Sequence, residues 1–258
     1  MGRRYASGVS TVARAGLVTE RGAVTDSFLI TCEHGGNRIP SPYRRLFRGR
    51  RDLLDSHRGY DPGALAMARA MAKAFRAPLV TSTISRLLID LNRSIGHPHL
   101  FSVVTRGAPA KLRAKIVEQH YVPYRLQVER LVRQSVSRGR RVIHISSHSF
   151  TPALNGKVRL ADVGLLYHPR RHGEKELCAC WRASLAALAP ELRVRRNYPY
   201  AGKGDGLTSH LRLRFPSKAY VGIELEINQS IVLAAGRRWT ALRRALIDSL
   251  RAAQRPRE

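Results

Sequence analysis

Acidic residues are scarce in this chain: 18 Asp and Glu stand against 46 Lys and Arg, a formal charge of +28 with neutral histidines. Such a surface implies weak, non-specific contact with polyanions, set against the plainer reading of an arginine-biased, solvated exterior. Cysteine is nearly absent. Cys32, Cys178 and Cys180 are odd in number and lack C-x-x-C spacing, which excludes a disulfide framework and a cysteine-rich zinc module and points to a reducing compartment. Aromatics make up only 7%, too few for a base-stacking platform, and no helix-turn-helix, zinc-finger or RNP signature is present. No apolar run approaches the ~18 residues needed to span a bilayer, and the N-terminal arginines are not followed by an apolar h-region. The expectation is a cytoplasmic protein with no membrane partner. No internal repeat, low-complexity tract or Pro/Gly/Ser-rich linker divides the chain. An acid-poor, Ser/Arg-containing extension over residues 1–26 is therefore expected to precede a single domain over 27–258.

What is present is 43% apolar residues in 258, enough for one large core. Their spacing switches repeatedly between the two-residue and the helical period, which predicts an α/β fold. Strands are expected over Ser27 to Cys32, Pro78 to Thr83, Arg141 to Ser146, Val163 to Tyr167, Arg193 to Tyr198 and Ala219 to Ile227. Helices are expected from Asp61-Pro62, read as N-cap and first helical residue, to Phe75, and from Pro109 to Arg138 with a break near Pro123. Two more are expected over Glu174 to Ala187 and Arg237 to Ala253.

Ligands of open α/β sheets bind at the carboxyl edge of the strands, and four segments place chemistry there. In Cys32-Glu33-His34-Gly35-Gly36-Asn37 a strand delivers a histidine followed by glycines that let backbone approach a ligand. In Val142 to Phe150, period-2 alternation puts His144, Ser146 and His148 on one face; His148 lies nearest the edge as the candidate ligand, and His144 deeper as a core residue. In Ala219 to Asn228, Glu224 and Glu226 share a face of an otherwise apolar strand. Burial would raise the pKa of such a carboxyl toward the range of a general base, unless the two are structural partners of arginines. In Ser85 to Ser94, Asn92 and Arg93 can grip an anion. Together these are the parts of a mononuclear zinc amidohydrolase.

Six ordered motifs, CEHGGNRIP at 32–40, DPGA at 61–64, SRLLIDLNRS at 85–94, SHSFTP at 147–152, NYPYAGKGDGLT at 197–208 and GIELEINQS at 222–230, resemble the N-formylglutamate amidohydrolase family. The resemblance implies an α/β, three-layer αβα domain with a mixed, phosphorylase/hydrolase-like sheet related to zinc carboxypeptidases. It also implies one zinc per chain and hydrolysis of a short, acidic N-acyl amino acid. Carried over residue by residue, His34 and His148 resemble zinc ligands. The third ligand is open among Asn37, which occupies the place of the carboxypeptidase glutamate three residues after the first histidine, Asp61 and Glu33. Glu226 resembles the catalytic glutamate more closely than Glu224 does. Arg86 is a candidate for oxyanion stabilisation. Asn92, Arg93 and Tyr200 are candidates for substrate contact, with Gly202, Gly204 and Gly206 suggesting a mobile lid. Two alternatives stand beside this reading: zinc amidase chemistry on a peptide or cell-wall fragment, and a nucleic-acid-binding protein gripping its partner through the positive surface.

Overall fold

A computed structural model describes residues 25–254, so all but the last two residues of the expected extension over 1–26 lie outside the described residues. The chain runs β1 (Asp26–Cys32), a 3-10 turn (Ser41–Phe47), α1 (Arg51–Asp55), α2 (Ala64–Phe75), β2 (Leu79–Thr81) and α3 (Ala110–Ile116). A π turn (Val117–Tyr121) leads into α4 (Val122–Ser137), then β3 (Arg141–Phe150), the hairpin of β4 (Ala153–Leu154) and β5 (Lys157–Val158), and β6 (Val163–Leu166). The last part comprises α5 (His172–Leu188), β7 (Val194–Arg196), α6 (Leu207–Arg214), β8 (Tyr220–Asn228), α7 (Gln229–Leu233) and α8 (Gly236–Ala252).

All six expected strands form one sheet in the order β2-β1-β3-β8-β6-β7. It is mixed: β2, β1, β3 and β8 are mutually parallel, β6 is antiparallel to β8, and β7 is parallel to β6. One face is apolar along its length. Ile30, Cys32, Ile143, Ile145, Val221, Ile223 and Leu225 pack there against Met67 and Met71 of α2, Trp181 and Leu185 of α5, and Leu246 of α8. The opposite face is divided. Near the amino ends of the strands Leu29, Val142 and Tyr220 meet Ile116, Val128 and Val132 of the α3–α4 helix and Leu211 of α6. Each such side chain contributes about 1.5–3 kcal/mol by leaving water. Toward the carboxyl ends the same face turns polar, presenting Thr31, His144, Ser146, His148 and Glu226, all buried. Two helical layers thus enclose the sheet, and the apolar packing stops where the polar residues begin.

Three local expectations differ from the structure. The helix after Asp61 starts at Ala64 with Gly63 at the N-cap in the left-handed region (φ 79°), and Asp61 caps nothing. Helix 110–137 is not broken at Pro123; a π turn over 117–121 precedes it. Proline lacks an N–H, and its ring crowds the carbonyl four residues back, so a widened turn accommodates it. β3 continues to Phe150, so His148 lies within a paired strand opposite Glu226 of β8 rather than in an exit loop.

Candidate metal centre

His34 follows β1 by two residues. Its carbonyl accepts a 2.9 Å hydrogen bond from the Asp61 amide, which brings the loop before α2 across the end of the sheet. The Asp61 carboxylate then reaches both rings: Oδ2 lies 3.3 Å from His34 Nδ1 and 2.9 Å from His148 Nδ1. The ligand atoms of His34, Asp61 and His148 all fall within 4.8 Å of one another, and all three residues are buried. Behind each ring stands a second carboxylate. His34 Nε2 is 2.7 Å from Asp90 Oδ1, and His148 Nε2 is 3.0 Å from Glu33 Oε2. A nitrogen that donates to a carboxylate leaves the other ring nitrogen as a fixed lone pair, the usual arrangement around a metal-binding histidine. Here the nitrogens left over to bind a metal, once deprotonated, are both Nδ1, and both face Asp61.

The supporting groups come from distant parts of the chain. Glu33 Oε1 accepts from Tyr124 Oη of α4 at 2.7 Å, and Oε2 accepts from Ser146 Oγ of β3 at 2.5 Å. Arg86 bonds Asp90 through Nη2 at 2.7 Å and Nε at 3.2 Å, with Nη1 3.4 Å from Asp61. Glu33, Asp61, Asp90 and Glu226 are each at most 5% exposed. Four carboxylates, were all ionised, with one bonded guanidinium would leave three excess negative charges when the histidines are neutral, a buried imbalance that a divalent cation would offset.

In the metal-free chain protons and hydrogen bonds meet that imbalance. Burial alone would raise the carboxyls of Glu33, Asp61 and Asp90. It is outweighed at Glu33 by His148 and Ser146, at Asp61 by His34, His148 and Arg86, and at Asp90 by Arg86 and His34, so all three lie far below the ordinary range. Burial would lower the His148 imidazole, but its bonds to Asp61 and Glu33 hold it well above its usual value. Glu226 goes the other way. Burial pushes it up to about 8, with Asp61 and Glu224 adding to the rise against His148 and Arg86. Its Oε2 is buried with no hydrogen-bond partner.

Glu226 and His148 both stay protonated in the folded chain where the unfolded chain has released its protons. Stability of the metal-free protein therefore falls as pH rises, from 4.5 through about 8 for Glu226 and upward from 6.5 for His148. The three depressed carboxyls have the opposite sign but act only below their ordinary values of 4.5, 3.8 and 3.8. The Tm of chelator-treated protein should fall between about pH 5.5 and pH 8.5, and a divalent metal should restore more of it at the higher pH, because protons compete with the ion. A Tm flat across that range, with or without metal, would contradict the burial assigned to these groups.

A cavity of about 340 Å³ opens onto the centre, lined by His34, Asp61, Arg86, Asn92, Arg93, His148, Tyr200, Asp205, Glu224 and Glu226, among others. Asn37 is not among the residues lining it. After Gly35 the backbone runs beside residues 82–85, with Gly35 N on Ser82 O at 2.9 Å and Arg38 N on Thr83 O at 3.0 Å. This carries Asn37 outward to donate to Asp55 at 2.7 Å. The three-residue spacing thus fails to return it to His34, and Asp61 stands in the third position. Glu33 lies behind His148, as a partner of its ring rather than beside the three converging atoms.

Glu224 accepts from Thr208 at 2.8 Å. Asn92 Oδ1 accepts from the Leu207 amide at the start of α6 at 2.7 Å, and Arg93 Nη1 donates to the Asp205 carbonyl at 2.8 Å. Gly202 and Gly206 of the 202–206 segment lie where the chain leaves little room for a side chain. A Cβ on Gly202 would lie 2.1 Å from Tyr167 N, and one on Gly206 would lie 3.0 Å from Asn92 Oδ1. His144 is the core residue expected, held by Thr31 at 2.8 Å and Tyr220 at 2.7 Å. Sequence reasoning missed Asp90, although it belongs to the same motif as Asn92 and Arg93, and it missed Tyr124, whose helical position carries no sign of Glu33.

A centre of this kind, set where the parallel strands end and beside a Glu226 oxygen without a partner, defines an α/β protein with three buried side chains that could hold a metal ion. The chain belongs to the N-formylglutamate amidohydrolase family, whose model matches residues 26–233. The crystal structure of a gene product from Agrobacterium tumefaciens is 30% identical, with a TM-score of 0.77 over 91% of this chain and 92% of that one. N-formylglutamate amidohydrolase from Ralstonia eutropha shares the fold at 20% identity, with a TM-score of 0.64 over 90% and 94% of the two chains. No curated protein matches the sequence. Among the described residues no helix is long and apolar enough to cross a membrane.

Proposed function

We propose that the protein hydrolyses the amide bond of a short, acidic N-acyl amino acid, N-formylglutamate-like, with one zinc ion held by His34 Nδ1, Asp61 and His148 Nδ1. The observation that carries this is the convergence of those three donors, each histidine backed by its own carboxylate, beside a Glu226 oxygen that is buried and unpartnered. Zinc in such a site polarises an acyl carbonyl and lowers the pKa of water toward ~7. Glu226 takes the proton of the attacking water and returns it to the departing nitrogen. Arg86 keeps N–H groups at the pocket beside those bonded to Asp90 and Asp61, and these stabilise the developing oxyanion. Arg93 and the Asn92 amide hold the substrate carboxylate, and Tyr200 closes the other side. Metal analysis of protein purified without added zinc, followed by a screen of N-acyl amino acids with N-formylglutamate included, tests the reading. Failure of the zinc-loaded protein to hydrolyse any of them, with peptides and cell-wall fragments cleaved instead, would reassign the substrate.

The carboxylate clamp has its own test. A guanidinium bonds a carboxylate through two parallel N–H groups, and a hydrogen bond to a charged group is worth about 1.5–3 kcal/mol, or roughly 10- to 150-fold in binding. Free-acid substrates should be hydrolysed more efficiently than their methyl esters by about that factor. Arg93→Lys should erase most of the preference although the charge is kept. Equal efficiency on acid and ester in the parent would remove Arg93 from this role.

A further inference from the structure

Arg159 closes the β4–β5 hairpin, outside the motifs that mark the site. Its main chain is fixed on both sides: the amide donates to Pro152 O at 2.7 Å, and the carbonyl accepts from Asn228 Nδ2 at 3.1 Å. From this anchor the guanidinium lies 5.9 Å over the Phe150 ring and 5.1 Å over the Tyr200 ring, and Nη1 donates to Tyr200 Oη at 3.1 Å. Tyr200 lines the pocket of the metal centre together with Arg86. Arg159 instead lines a separate cleft with Tyr198 and Pro199. Tyr200 is 46% exposed, and among the described residues its hydroxyl is hydrogen-bonded to Arg159 alone.

A guanidinium carries donors only, so the phenol oxygen accepts from Arg159 and its own O–H remains available to donate elsewhere. We propose that Arg159 is a positioning residue that holds the Tyr200 ring at the mouth of the pocket and turns its hydroxyl proton toward the bound substrate. The hairpin thereby becomes part of the substrate site although it touches no substrate. The proposal rests on the amidohydrolase reading of the pocket.

A double-mutant cycle tests it on the zinc-loaded protein, with Arg159→Ala, Tyr200→Phe and the pair measured for kcat and KM on an N-acyl amino acid. Loss of one neutral hydrogen bond corresponds to about twofold to twelvefold. Each single variant should lose about that factor in kcat/KM, and the double variant should be no worse than Tyr200→Phe. Arg159→Lys, which keeps the charge and loses the planar fork, should fall between parent and alanine. Fluorine NMR on 3-fluorotyrosine-labelled protein gives a readout independent of turnover. The Tyr200 resonance, assigned by its loss in Tyr200→Phe, should shift in Arg159→Ala toward that of exposed tyrosine. Multiplying losses in the cycle, or a Tyr200 resonance unmoved by Arg159→Ala, would overturn the proposal. If the parent hydrolyses nothing, the amidohydrolase reading fails while the fluorine measurement still decides whether Arg159 positions Tyr200.

Discussion

Glu226→Gln should lower kcat by about 100- to 10,000-fold while leaving the metal in place, because the amide keeps the shape of the side chain and removes its basicity. The group is suited to the task by where β8 places it. It lies opposite His148 in the register, 5% exposed, with one oxygen unpartnered. Only the ionised form takes a proton, so the parent's rate should rise with pH along an acid limb. The metal-free value is about 8, and a nearby cation favours the ionised form, so the limb should lie below that. The glutamine variant should lack it. The same substitution should raise the Tm of metal-free protein at about pH 8.5, since the parent must ionise a buried carboxyl there and the variant need not. Loss of activity with gain of stability is a pairing that damage to the fold does not produce. Glu224→Gln should cost less, because that side chain is already bonded to Thr208. Activity equal to the parent in Glu226→Gln, with metal intact, would transfer the role to another group.

The sheet was legible because its strands are short apolar runs with clear ends, and each expected strand is present to within a few residues. Alternation also read the polar face correctly: His144, Ser146 and His148 share it, as do Glu224 and Glu226. What the sequence did not disclose is anything decided by the meeting of distant segments. Asp61 beside proline looks like a helix cap at every local level, yet its amide is bonded to the His34 carbonyl, and that one contact commits its carboxylate to the two histidines. Asn37 shows the converse. Spacing alone places it near His34, but the backbone after Gly35 follows residues 82–85 and leaves the centre. α6 was missed because its sequence, LTSHLRLR, is too polar to show an apolar stripe. Its Arg212 is buried on Glu174 at 3.0 Å and on Gly202 O at 2.7 Å, bonds that no periodicity reports. The close approach at Gly202 and Gly206 is hidden for the same reason, since the atoms beside them belong to Tyr167 and Asn92.

Substitution at the three converging residues should separate ligands from their supports. His34→Ala and His148→Ala each remove one donor, and Asp61→Asn replaces an anionic donor by a weak neutral one, in a site whose atoms span no more than 4.8 Å. After dialysis against a weak chelator, elemental analysis should find far less than one zinc per chain in each. The asparagine change is the most informative of the three, because it conserves volume and leaves both histidines beside their second carboxylates. Alanine at His148, by contrast, leaves the buried Glu33 with neutral hydroxyl partners and no cation, and an unpaired interior charge costs about 3–5 kcal/mol. Glu33→Gln and Asp90→Asn should retain metal but bind it about 10- to 100-fold more weakly, since they weaken the donor strength and orientation of a ring without removing a ligand atom. Asn37→Ala should leave metal content unchanged, because that amide is bonded to Asp55 at 2.7 Å and lines a separate cleft. The order expected is therefore loss in the first group, weakening in the second and no change in the third. Stoichiometric zinc in Asp61→Asn together with its loss in Asn37→Ala would restore the ligand spacing read from the sequence and displace Asp61 from the centre.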